Sequence, residues 1–157
     1  MKLLLTPLLF FIAFGCIAFH VSAQDTKIVK VPKFKPPVVK SYLGNNTNGD
    51  TVTKEEASQL ILLPLRITDN KKNTYQIDSY HFLYKRKGII QDDETGKKES
   101  TFTTGADVFR TTPLSKIWID NIKDGFQKGE EIYFFDIVVK DKSDRKFFAP
   151  DLKIAIE

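Results

Sequence analysis

The chain carries few side chains with which to do chemistry. Of its two histidines, His20 lies in the apolar leading stretch, which leaves His81 alone beyond it. A histidine pair for a metal, or a relay of two imidazoles, is therefore excluded. His81 falls mid-strand among apolar neighbours, the setting of a structural histidine. Asp92, Asp93 and Glu94 are consecutive. In a loop they diverge, whereas glycoside hydrolysis needs two carboxylates about 5–10 Å apart on rigid elements. Asp136 interrupts an apolar strand pattern, and a carboxylate there needs a basic neighbour or a local bulge. No G-x-S-x-G elbow, glycine-rich phosphate loop or H-E-x-x-H helix is present. The reading is a non-enzyme, with no catalytic, cofactor or metal residue assigned.

Gly44 to Glu55 invites comparison with a calcium loop. Asn46, Asn48, Gly49 and Glu55 fall at the third, fifth, sixth and twelfth positions, but the first should be an aspartate. Only Asp50 and Glu55 bring charge, so a plain Asn-Gly turn is the better reading.

Around these residues the composition is globular: 41% hydrophobic and 28% charged. Residues 1–23 read as a secretory signal peptide, with Lys2 as the positive start, an apolar run from Leu3 to Phe19, and Val21-Ser22-Ala23 before the cleavage point. Lys2 and Cys16 go with it. The remainder has 23 basic and 20 acidic side chains, too mild and interspersed a balance for nucleic acid, and no cysteine for disulfides or thiol chemistry. Acylation of Cys16 is disfavoured, because Ala13-Phe14-Gly15 lacks the leucine usual three residues upstream and the apolar run continues past it. The expected location is periplasmic, extracellular or associated with the outer membrane.

Residues 24–37 read as an extended arm, with Lys27, Lys30, Lys33 and Lys35 between apolar residues and prolines at 32, 36 and 37. Residues 38–157 read as one β-rich domain, a sandwich or small barrel with one or two short helices. Strands are expected over Val38–Leu43, Ile61–Thr68, Tyr75–Lys87, Ser100–Thr104, Glu131–Asp141 and Lys146–Glu157. Ile77, Ser79, His81 and Leu83 would lie on one face of the longest, with Asp78, Tyr80, Phe82 and Tyr84 on the other. Glu131–Asp141 is apolar on both faces, as in a central strand between two layers. Thr53 and Glu56 predict a capped helix through Leu60, and Pro113–Ile122 has helical spacing with Pro113 in the first turn.

The order of these pieces resembles the C-terminal periplasmic domain of the gliding-motility and type IX secretion protein GldM. The likeness rests on Pro36-Pro37-Val38-Val39-Lys40, on Gly49-Asp50-Thr51-Val52-Thr53-Lys54-Glu55-Glu56, and on Tyr75 to Phe82 closed by Lys87-Gly88. Toward the end, Ile122-Lys123-Asp124-Gly125, Lys128 to Ile137 and Phe148 to Ile156 resemble that domain's helix, K-x-G-D-x-V-x-F-x-D-I strand and terminal strand, with Glu130 where an aspartate is usual. The resemblance covers residues 36–157. It implies a β-rich fold and a protein-binding habit in the Bacteroidetes envelope, without the motor coupling of the larger protein. In the same setting, Asp50-Thr51-Val52 resembles a Bacteroidetes O-glycosylation signal, with Thr51 as acceptor.

The leading expectation is an exported protein–protein interaction module using Tyr42, Tyr84, Trp118 and Phe126. A glycan- or anionic-lipid-binding module working through Lys27, Lys30, Lys33 and Lys35 is the alternative, and binding through that arm would fade with salt. An inhibitor of a secreted hydrolase is the third.

Overall fold

Alternating β-branched and aromatic residues frame the molecule. In the computed structural model, which describes residues 33–157, Lys35–Glu157 form one compact and mostly β unit. Residues 1–23, where a signal peptide is expected, and Lys27 and Lys30 lie outside the described residues. The elements are β1 (Val39–Leu43), β2 (Thr51–Val52), α1 (Lys54–Leu60), β3 (Leu65–Asp69), β4 (Thr74–Gln91), β5 (Lys98–Phe109), α2 (Lys116–Ile122), β6 (Glu131–Lys140), β7 (Lys146–Phe148) and β8 (Leu152–Ile156). The strands form one curled sheet, a half-barrel, ordered β1-β3-β4-β6-β8-β2. β5 lies along β4 on the side opposite β6, and β7 joins β6 beside β8. All pairings are antiparallel except β2 with β8.

Local chemistry explains the smaller elements. The Thr53 hydroxyl accepts from the Glu56 amide at 3.2 Å, and the Glu56 carboxylate accepts from the Thr53 amide at 3.0 Å. This reciprocal cap starts α1, which buries Ala57 and Leu60. Loop bonds hold the curl: the Ser41 hydroxyl donates to the Pro150 carbonyl, and the Gly49 amide donates to the Lys153 carbonyl at 2.8 Å. The core is aromatic at its centre, where Phe82 meets Phe134 and Trp118 at 5.0 and 5.4 Å between ring centroids.

Several expectations need correcting. Ser100–Thr104 is only the middle of a strand running from Lys98 to Phe109, because Tyr80–Gln91 pairs with it residue by residue. Lys146–Glu157 is two strands, separated at Ala149-Pro150-Asp151. Pro113 precedes α2 instead of opening it, and Ser115 holds the N-cap position. Thr51 is exposed, but in β2 and not in a loop.

β6 is apolar on both faces for a different reason from the one expected. Asp136 adopts φ 48, and the pairing with β4 slips there. Such a bulge inserts one residue and reverses the alternation. Ile132 and Phe134 therefore face the core before it, and Ile137 and Val139 after it. Asp136 itself is exposed.

Candidate interaction surface

The middle of β4 has two faces of different kinds. Tyr80, Phe82 and Tyr84 point into the core. His81, Leu83, Lys85, Lys87 and Ile89 line the outer face, opposite Val108, Ala106, Thr104, Phe102 and Ser100 of β5. Across β6 the outer face continues through Tyr133 and Phe135. Tyr133 stacks on Phe135 with centroids 5.0 Å apart, His81 meets Phe135 edge-on, and the Lys85 ammonium sits 4.5 Å over the Phe102 ring. Val108, Phe102 and Ile89 are 54%, 47% and 70% exposed, where a solvated sheet face would be polar.

Beyond Lys85, β4 leaves β6 and pairs with β5 alone, making an arm of residues 86–103. The Asp92 carboxylate turns its tip by accepting the amides of Glu94 and Thr95 at 3.0 and 2.8 Å. Glu130 roots the arm. Its fully buried carboxylate accepts the Tyr84 hydroxyl and the amides of Lys87 and Gln127, each amide at 2.9 Å. Burial first, and the adjoining Glu130 carboxylate second, push the Tyr84 hydroxyl above the ordinary tyrosine range.

The Lys87 bond also fixes which way β5 presents its backbone. An amide spent on Glu130 cannot join the β5 ladder, so Lys87 and Phe102 form a non-hydrogen-bonded pair. The N–H and C=O groups of Phe102 therefore project from the far edge of β5, as do those of Ser100, Thr104 and Ala106. At Val108 the amide turns to the Asp107 carboxylate, at 2.8 Å. Among the described residues no strand pairs with that edge.

The aromatic residues singled out from sequence divide. Tyr84 and Phe126 are buried, meeting edge-on at 5.5 Å, so neither offers its ring to a partner. Trp118 is half-buried against Phe82 and Phe109 and donates its indole N–H to Asp107 at 3.2 Å. It also lies over Gly105, where a Cβ would stand 3.1 Å from its ring. Tyr42 is half-buried on β1, away from the outer face of β4 and β5. Lys33 and Lys35 are exposed.

Sequence reasoning missed Ile89, Phe102 and Val108. A signal was available: Ile89-Ile90 directly follows the Gly88 that seemed to end a strand, and Phe102 sits alone among threonines.

A groove of about 410 Å³ between α1 and the Gly44–Asn46 turn contains Glu55 and Glu56, and Glu56 is committed to the helix cap. The Asp50 carboxylate accepts the Thr47 amide at 2.7 Å, closing its own turn. Among the described residues no three His, Cys, Asp or Glu side chains come together as a metal site, and no helix is long and apolar enough to cross a membrane. Neither a protein-family model nor a curated protein matches the chain.

Proposed function

We propose that this chain is a non-catalytic protein-interaction module of the Bacteroidetes cell envelope, taking its partner on the outer face of β4, β5 and β6. The observation that carries the reading is the ring and aliphatic surface of His81, Leu83, Val108, Tyr133 and Phe135, which neighbour one another across β4, β5 and β6. Aromatic anchors set in a rigid sheet are the type of residue that dominates protein interfaces, because they bury large areas at little entropic cost. The envelope setting rests on the leader pattern of residues 1–23 and on the GldM-like motifs of residues 36–157. The type IX secretion machinery is accordingly where a partner is sought.

In-cell crosslinking followed by fractionation tests this. The full chain is compared with a Val108→Ser/Phe135→Ser variant and with a chain lacking residues 24–37. Expected is an envelope-associated crosslinked product that the double substitution abolishes and the deletion spares. Recovery in the cytosol, or a product lost only with residues 24–37, would reject the reading. The second result would make the lysine arm the contact.

A further inference from the structure

The open edge of β5 fits a second copy of the same strand. We propose that two copies pair antiparallel through β5, about a twofold axis at Phe102, whatever docks on the outer face.

Three observations lead there. First, the middle of β5 is unprotected as a sheet edge, its charges Lys98, Glu99 and Asp107 lying toward its ends. It has no proline, no break in its register with β4, and no charged side chain from Ser100 to Ala106. Four consecutive outward-facing positions, Ser100 to Ala106, offer both a donor and an acceptor.

Second, the register is selective. Outward backbone groups must face outward groups, so the axis must pass through a residue. At Thr103 it would set Glu99 against Asp107 of the second copy, and at Thr104 it would set Lys98 against Arg110. Like charges directly opposed destabilise a pair. At Phe102 these conflicts vanish: Lys97 meets the second copy's Asp107, Glu99 meets Gly105, Ser100 meets Thr104 and the two Phe102 rings lie side by side. Moving the axis to Thr101 shortens the overlap and loses the Lys97–Asp107 match. Lys97 now pairs with the exposed Glu99, and Asp107 accepts the Trp118 indole and the Val108 amide; both side chains are exposed on the same side of β5.

Third, the geometry leaves room. The axis is perpendicular to the sheet, so both outer faces stay on one side and both α2 helices on the other. The two Gly105 residues, each under its Trp118, are six positions apart along the strands, about 20 Å. Pairing would cover Phe102 and merge the two outer faces into one platform.

The test uses residues 24–157, the chain without its leader pattern, which hold no cysteine. Light scattering over a concentration series should show passage from one copy to two. Thr104→Pro removes a donor from the open edge and none from the β4 ladder, and should weaken association by at least about tenfold. Thr101→Cys and Thr103→Cys chains should form a disulfide when mixed and oxidised, but neither should do so alone. Their Cα atoms would face one another at about 4.5 Å, within disulfide range. A chain that is monomeric throughout, an association indifferent to Thr104→Pro, or a mixture that fails to crosslink would each overturn the proposal.

Discussion

β4 and β5 run as one continuous ladder, yet its two halves live differently. From Tyr80 to Lys85 the ladder has β6 on one side, and its inner face is buried against Trp118, Phe109 and Phe134. From Arg86 to Gln91 the same strands have only each other, and Ile89 and Ile90 stand in solvent. Both halves carry large apolar side chains, Tyr80 and Phe82 in the one and Ile89 and Ile90 in the other. What changes is the neighbours, so stability belongs to the body and availability to the arm.

The sharpest way to break this contrast is to truncate one apolar residue in each half. Phe82→Ala should cost about 3–5 kcal/mol, from a lost buried ring and the cavity behind it. Ile90→Ala should stay within about 0.5 kcal/mol. Denaturant unfolding of both variants checks the pair, and equal costs would erase the distinction.

The junction comes next. Glu130→Gln keeps the volume but replaces an acceptor-only carboxylate with a group that must also donate, so one of its three donors is left unmet. A loss of about 2 kcal/mol is expected, with faster hydrogen exchange at the Lys87 amide. A stable variant whose Lys87 amide stays protected would remove Glu130 as the root of the arm.

Smaller is Gly105→Ala. The added methyl meets the Trp118 ring and should cost about 1 kcal/mol, with a shift of tryptophan fluorescence as the half-buried ring lifts. Smallest is the acid dependence at the far end of β4. Bonds from Lys146 and then Lys140 hold the Asp78 carboxyl at about 2, below its ordinary 3.8. Its contribution is present above the ordinary value and lost as pH falls toward the depressed one. Asp78→Asn should therefore flatten the decline of Tm between about pH 4 and 2.

Much of the body was legible from residues alone. The Thr53–Glu56 cap and the apolar alternation of Tyr80, Phe82 and Tyr84 are local signals, and the structure follows them. β5 was read too short because Gly105-Ala106-Asp107 has turn-like residues, and only pairing with distant Tyr80–Tyr84 keeps them extended. The bulge at Asp136 is one of the two alternatives that a carboxylate in an apolar strand raises, but its effect was not legible: a phase reversal looks like an apolar run when no partner strand is known. The interaction surface was the least legible. Tyr84 and Phe126 have the composition of contact residues but face the core, while an open edge is a relation between strands and leaves no mark in either sequence.

Residue-resolved hydrogen exchange along β5 tests the account most directly. In the dilute chain the amides of Ser100, Phe102, Thr104 and Ala106 should exchange fast, and those of Thr101, Thr103 and Gly105 slowly. Raising the protein concentration should slow the first four and leave the other three unchanged. If those four amides stay fast at every concentration, β5 is not a contact edge and the contrast between body and arm carries no function.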